Sequence, residues 1–232
     1  METSSPDLLA AIDRHTALLD DTLSRLDPDV GAPTLCEGWT RGHVLSHLAR
    51  NANGIAALVR AAVDGSGETM YASAEARDAD IDAGAGRGLA AQVADVRAGA
   101  ERVGAELRRL RPEDAGTWLE RVPGVRFVPA GRLPFMRLRE VVYHHVDLGA
   151  GFTFADVDPG LLRVFLDDEV VRLRRCDPVP DLTLRTTEGD EWTVGVGTAE
   201  VSGDRAAVLG WLARGLTSGI SADPLPRLPE GR

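Results

Sequence analysis

The chain has 232 residues, with 26 basic and 36 acidic side chains and a formal net charge of −10. All of the basic residues are arginine, and lysine is absent. Schiff-base enzymes, pyridoxal-phosphate enzymes and P-loop nucleotidases need a lysine amine, so these classes are excluded. The acidic balance argues against nucleic-acid binding, which requires a basic face. A bias towards GC-rich codons accounts for most of the arginines without a functional role.

The composition predicts a globular protein of one large domain or two small ones. The apolar share of 44% is enough for a sizeable core, and no stretch approaches the length of a membrane span. The N-terminal residues METSSPD lack the basic region and apolar core of a signal peptide. Cys36 and Cys176 have no CxxC partner, which indicates free thiols in a reducing compartment. We therefore expect a cytoplasmic protein that binds neither membranes nor nucleic acids.

Amphipathic periodicity predicts four helices in the first two thirds of the chain. The first begins at Pro6, after the N-cap Ser5, and runs to Leu26, and the second runs from its N-cap Thr40 to Val59. Residues 64–87 are rich in glycine, alanine and aspartate and are predicted to form a long connection. The third and fourth helices cover Leu89–Leu110 and Pro134–Leu148. Four helices with one long crossover predict a helix bundle.

The rest of the chain has a different character. Residues 117–132 are predicted to be irregular or a short strand, and a mixed pattern follows the bundle. Its predicted elements are a helix from Asp158 to Leu173, strands at 182–185 and 192–196, and a helix at 206–212. We therefore predict an α+β fold with a helix bundle at 1–155 and a small α/β domain at 156–232.

Histidine placement is the most informative feature of the sequence. Four of the five histidines form two clusters, His43 with His47 and His144 with His145, and the second cluster follows Glu140. Residues four apart share one face of a helix, so Glu140 and His144 point the same way, while His145 is rotated by about 100°. Two imidazoles and a carboxylate on facing helices can form a catalytic divalent-metal site with open positions. Interhelical hydrogen bonds among the same residues are the alternative.

Three segments resemble a known family. The segment LCEGWTRGHVLSHLARNA at 35–52 looks like the second-helix signature of the mycothiol-dependent maleylpyruvate isomerase family, and MRLREVVYHHVDLG at 136–149 is similar to its fourth-helix signature. The stretch MYASAEAR at 70–77 resembles the maleylpyruvate isomerases themselves. The family joins a DinB-like metal-binding four-helix bundle to a small sterol-carrier-like C-terminal domain, so the likeness covers nearly the whole chain.

The resemblance implies a set of metal ligands. The family's first histidine ligand falls on His47, and its glutamate and second histidine fall on Glu140 and His144. His43, one turn before His47, is then a supporting or core residue. Tyr143 and Asp147 flank the implied ligands and are able to orient them through hydrogen bonds, with solvated or capping roles as the alternative. The implied cofactors are a divalent metal ion, zinc above all, and mycothiol.

The implied reaction is a thiol-assisted cis-to-trans isomerisation in aromatic catabolism. Metal coordination favours the thiolate of mycothiol, which adds to the activated double bond of maleylpyruvate. Rotation about the resulting single bond and loss of the thiolate give fumarylpyruvate. The cofactor supplies the sulfur, so Cys36 is expected to be a buried or incidental thiol.

A dianionic substrate requires cationic partners, and arginine matches a carboxylate with two hydrogen bonds. Arg77 and Arg214 are the candidates for catalysis, and Arg50 and Arg139 are the candidates for cofactor binding. The resemblance suggests a functional arginine in a Gly-Arg-Gly pattern near the end of the last helix, whereas this chain has alanine before Arg214. Compensation of the helix dipole is the alternative role for Arg214.

Two other functions remain open at this point. A mycothiol S-transferase that conjugates electrophiles would use the same metal site. A non-catalytic ligand-binding protein would use the metal structurally. The expected partners are a small dicarboxylate and mycothiol, and the expected state is a monomer or weak homo-oligomer.

Overall fold

A computed structural model describes residues 5–229 of the chain. The chain divides into two compact units, the first ending at Gly151 and the second beginning at Phe152. Within the described range, no helix is both long and apolar enough to cross a membrane. Residues 1–4, on which the signal-peptide expectation also rests, lie outside the described residues.

The first unit is built mainly from α-helices. They are α1 (Ser5–Ser24), α2 (Arg41–Asp64), α3 (Ala74–Ala85), α4 (Leu89–Leu107) and α5 (Leu133–Asp147). The predictions of α1, α2, α4 and α5 are confirmed, because each carries the apolar stripe that the periodicity indicates. These stripes meet in a core that includes Leu19, Leu45, Leu48, Val96 and Leu148.

The prediction of a long connection over residues 64–87 is wrong, because residues 74–85 form helix α3. Only Ile81 and Ala85 of this helix are buried, so it shows no apolar stripe. It packs on α2 through glycine instead: a Cβ atom on Gly42 would lie 2.0 Å from the Ala85 carbonyl oxygen, and one on Gly84 would lie 2.2 Å from the Ser46 hydroxyl. Close backbone packing of this kind leaves no hydrophobic period in the sequence.

A β-hairpin between α4 and α5 completes the first unit. Strands β1 (Trp118–Val122) and β2 (Val125–Pro129) pair antiparallel. The backbone N–H of Tyr71 donates to the Arg121 carbonyl oxygen at 3.0 Å, so the segment that precedes α3 is fixed to the outer edge of β1. This contact places Tyr71 and Arg121 near His47 and His144.

The second unit combines two helices with a three-stranded sheet. Its elements are α6 (Pro159–Leu173), β3 (Leu182–Thr186), β4 (Glu191–Val194), β5 (Ala199–Gly203) and α7 (Arg205–Arg214). The strand order is β4-β3-β5, with β3 antiparallel to β4 and parallel to β5. The sequence does not predict strand β5, because only Val201 of its five residues is buried and the strand shows no apolar alternation. The α+β fold class is confirmed. The DinB-like and sterol-carrier-like assignments, with a boundary at residue 155, stay predictions.

Candidate active site

Helices α2 and α5 bring together the three residues that the sequence analysis selects as metal ligands. His47 Nε2 lies 2.7 Å from Glu140 Oε2, and His144 Nε2 lies 3.3 Å from the same oxygen. The two imidazole rings meet edge to face at 4.6 Å between centroids. All three donor atoms lie within 4.8 Å of one another. The helical spacing of Glu140 and His144 explains why both reach His47 on the facing helix.

The electrostatics of this cluster favour a positive charge at its centre. Burial lowers the pKa of His47 and outweighs the hydrogen bond to Glu140. Burial would raise the pKa of Glu140, but hydrogen bonds from His144 and His47 prevail and hold it well below the usual range. Burial would likewise lower the pKa of His144, but Asp147, Cys36 and Glu140 prevail and raise it well above the usual range. An anionic carboxylate beside two imidazoles is a donor set that divalent cations prefer.

The far side of His144 is held by Asp147. Its Oδ2 lies 2.8 Å from His144 Nδ1, and the Cys36 thiol donates to the same oxygen at 3.1 Å. Asp147 is fully buried, and its backbone carbonyl accepts from the N–H of Leu35 at 3.1 Å. Such a carboxylate fixes both the orientation and the tautomer of a histidine. Cys36 is neither buried nor incidental, because it lies on the surface of the same cavity as His144.

The remaining clustered histidines have other partners. His43 Nδ1 accepts from the backbone N–H of Thr40 at 3.2 Å, at the start of α2, and its Nε2 lies 3.6 Å from Asp82. His145 Nε2 lies 2.8 Å from the Thr22 hydroxyl on α1. The structure therefore separates His43 and His145 from the converging trio.

Aromatic and cationic side chains surround the trio. The Trp39 ring lies 5.3 Å from the ring of His47 and 6.1 Å from that of His144, between centroids. Arg77 Nη2 lies 3.4 Å from His47 Nδ1. The Arg77 guanidinium carbon lies 6.0 Å from the Trp39 ring centre and 5.9 Å from that of Tyr71. The structure thus places Arg77 beside the predicted ligands.

The other predicted arginines lie elsewhere. Arg50 pairs with Asp95 at 3.5 Å and lines a second cavity of about 330 Å³ that Arg77 also lines. The guanidinium of Arg139 lies over the Tyr143 ring, 5.8 Å from its centre. Arg214 ends α7 in the second unit, where its Nη1 donates to the Ala213 carbonyl at 2.7 Å.

The trio opens onto a cavity of about 750 Å³, within the range of small-molecule sites. Besides the residues above, Asn51 and Arg121 line it, and sequence reasoning selects neither. Asn51 carries a usable signal, because it follows His47 by four residues on the same helix face. No sequence pattern points to Arg121, because its position depends on the hydrogen bond between the hairpin and the Tyr71 segment.

Comparison with known proteins identifies the family to which this chain belongs. Residues 8–149 match the family model described as the mycothiol maleylpyruvate isomerase N-terminal domain. The chain belongs to this family. A solved structure of the mycothiol-dependent maleylpyruvate isomerase shares 26% sequence identity with it at a TM-score of 0.89, over 98% of this chain and 97% of that chain.

A solved histidine-to-alanine mutant of that isomerase matches with the same identity, coverage and TM-score. No curated protein gives a significant match. The sequence predictions of the family and of an enzyme of the isomerase class are confirmed. The family model covers the whole of α2 and α5, and therefore the part of the chain that carries the trio.

Proposed function

We propose that this chain is a metal- and mycothiol-dependent isomerase that converts maleylpyruvate to fumarylpyruvate. The observation that carries the proposal is the convergence of His47, Glu140 and His144 on one cavity, in a chain that belongs to the mycothiol maleylpyruvate isomerase family. These three residues would hold the divalent ion. Two imidazole nitrogens and one carboxylate oxygen suit zinc and leave a coordination position open.

The donor set fits such an ion on its own chemistry. Its members are at least partly buried, Glu140 is held anionic, and the lowered pKa of His47 keeps that imidazole neutral and able to donate a lone pair. The raised pKa of His144 means that an ion which binds there would displace the Nε2 proton of this residue. The bound ion supplies the positive charge that keeps a thiol ionised at neutral pH, and the thiol supplies the sulfur nucleophile. The residues of the chain then have to hold the substrate beside that sulfur.

Arg77 is the residue best placed to bind the substrate. Its guanidinium lies next to His47 and packs near the Trp39 and Tyr71 rings, which restrict its rotamers. Arg77 Nη1 also donates to Asp78 at 2.5 Å, and a substrate carboxylate can replace this exposed partner and accept two parallel hydrogen bonds. Trp39 and Val122 line the same cavity, and the low polarity of their side chains strengthens such an interaction.

The cavity has room for more than a small dicarboxylate. We assign Arg50 to the polar part of mycothiol, because the second cavity adjoins the first at Arg77 and Tyr71. Arg139 stays a candidate for cofactor binding because it adjoins Glu140 in the sequence, and the role of Arg214 stays a prediction from the sequence resemblance.

The test is a spectrophotometric assay of maleylpyruvate with purified chain, zinc and mycothiol. We expect isomerisation that requires both additions and is lost in His47→Ala, together with the bound zinc. His43→Ala is the matched control, because His43 lies on the same helix and contacts Thr40 and Asp82 instead. If maleylpyruvate is unchanged while thiol is consumed by a model electrophile, the chain is an S-transferase. If metal loss leaves every thiol-dependent activity intact, the metal is not catalytic.

A further inference from the structure

A second pair of residues joins α2 and α5 one turn away from the trio. Asn51 follows His47 by four residues, and Arg137 precedes Glu140 by three, so the pair lies on the same helix faces as the trio. Arg137 Nη1 donates to Asn51 Oδ1 at 3.0 Å and to the Leu48 carbonyl oxygen at 3.1 Å. Both side chains are about 1% exposed, yet Asn51 still borders the cavity that contains His47.

The chemistry of arginine settles which way the Asn51 amide points. A guanidinium has donors only, so the atom that faces Arg137 must be the amide oxygen. The amide nitrogen then lies on the opposite branch of the side chain. Across residues 5–229 the Arg137 contact is the one hydrogen bond of the Asn51 side chain. Asn51 Nδ2 is not among the fully buried side-chain atoms that lack a hydrogen-bond partner. Asn51 therefore presents an N–H donor to the cavity.

The burial of Arg137 is energetically unfavourable, which argues against a purely structural role for this residue. Arg137 is buried without a carboxylate within 4.0 Å in the described chain, and its Nε has no hydrogen-bond partner there. Burial lowers the pKa of Arg137 to about 10, against the favourable field of Glu140. Buried, incompletely compensated polar groups destabilise a fold and tend to occur at functional sites.

We propose that Asn51 is a substrate-binding residue, and that Arg137 is a positioning residue that fixes its amide. The Asn51 N–H donates to the substrate oxygen on which negative charge develops. As the carbon–sulfur bond forms, the π electrons of the double bond move onto the conjugated ketone oxygen. The electrons return to the carbon–carbon double bond when the carbon–sulfur bond breaks, so no proton or co-reactant is consumed. The proposal rests on the proposed function and adds the group that stabilises this oxygen.

Two substitutions at Asn51 test the donor. Asn51→Asp keeps an acceptor for Arg137 and removes the N–H, and Asn51→Ala removes both without adding charge. We expect kcat for maleylpyruvate to fall about 100-fold in both, the loss typical of one oxyanion donor, with KM and bound zinc much less affected. His43→Ala is the control, since His43 lies on the same helix outside both cavities and contacts Thr40 and Asp82. If only the Asp variant loses activity, charge repulsion explains the result and the donor role is wrong.

Substitutions at Arg137 test the positioning role. Arg137→Lys still offers only donors, so we expect it to keep most of the wild-type kcat. Arg137→Gln can present either a donor or an acceptor, which allows the Asn51 amide to flip, so kcat should fall at least tenfold. Equal kcat in the two variants would overturn the positioning role.

A binding measurement separates this inference from the proposed function. Acetylpyruvate is a 2,4-dioxo acid without the double bond, so it cannot isomerise, and its enolate carries negative charge on the 4-oxo oxygen that corresponds to the conjugated ketone. Calorimetric titration of the zinc-loaded chain should show at least tenfold weaker acetylpyruvate binding in Asn51→Ala than in His43→Ala. Absent isomerisation in the wild type would refute the proposed function, whereas equal acetylpyruvate affinities in the two variants would refute the role of Asn51.

Discussion

The Asp147 carboxylate lies 2.8 Å from Nδ1 of His144 and so holds the imidazole on the side opposite Glu140. Asp147 is fully buried, and both residues belong to α5. The Nε2 atom of His144 is thereby directed at His47 and Glu140. The carboxylate is therefore part of the machinery that gives the proposed metal site its geometry.

Asp147→Asn should weaken zinc binding by about 10- to 100-fold, because the neutral amide no longer supports the basicity of His144. Competition titration with a chromogenic chelator measures the change. Asp82→Asn is the control, since Asp82 lies 3.6 Å from His43, which is not in the trio. Equal zinc affinities in wild type and Asp147→Asn would show that the imidazole is oriented by packing alone.

Arg77→Lys should lower kcat/KM for the dicarboxylate at least tenfold. Lysine keeps the charge but loses the planar fork that binds a carboxylate twice and stacks near Trp39 and Tyr71. Steady-state kinetics at saturating mycothiol measure the effect. Arg87→Lys is the matched control, because Arg87 forms a surface ion pair with Asp95. Comparable kinetics in the two variants would remove Arg77 from the substrate site.

Gly42→Ala should destabilise the chain by about 1–3 kcal/mol, the range for overpacked sites. The added methyl group would meet the Ala85 carbonyl oxygen at 2.0 Å, and a backbone atom cannot move aside without displacing α3. Since α3 carries Arg77, KM should also rise. Urea unfolding and kinetics test both effects. Gly86→Ala is the control, because its φ is −83° and nothing lies within 4 Å of the new Cβ atom.

Asp190 should make the second unit sensitive to acid. Arg205 lowers the pKa of Asp190 from 3.8 to about 2, against the opposing effect of burial. Thr186 also donates to this carboxylate, at 2.9 Å. The unfolded chain takes up the proton first as pH falls, so about 2 kcal/mol of stability present at neutral pH is lost between about pH 4 and pH 2.

Urea unfolding of wild type and Asp190→Asn at pH 7 and pH 2.5 measures this loss. The substitution should be destabilising at pH 7 and much less so at pH 2.5. Glu191→Gln should change little at either pH, because its ion pair with Arg185 is exposed. An Asp190→Asn penalty that is the same at both values would contradict the assignment.

The pairing of Glu140 with His144 could be predicted from the sequence because it is local to one helix. Glu140 and His144 are one helical turn apart, and α2 and α5 have clear apolar stripes that place both helices in the bundle core. The choice of His47 over His43 comes from the family resemblance, because the two histidines lie on the same face of α2. The ligand assignment itself stays a prediction until the metal is measured.

Other parts of the site leave no pattern in the sequence. Helix α3 contacts α2 through the backbone at Gly42 and Gly84, and the place of Arg121 depends on a hairpin hydrogen bond to Tyr71. Arg137 has the composition of a surface residue, although it is buried. Long-range contacts decide all three positions, and periodicity reports only which residues share a face of one element.

The cavity divides into a floor on helices α2 and α5 and walls formed by residues 36–39, residues 71–78 and the β1–β2 hairpin. The proposed ligands His47, Glu140 and His144 all belong to the floor. Substitutions in the walls can therefore change the size and polarity of accepted substrates while the metal-binding geometry is preserved. A variant library confined to Ser73, Glu75, Arg121, Val122 and Val125 would search for new electrophiles without sacrificing the reactive centre.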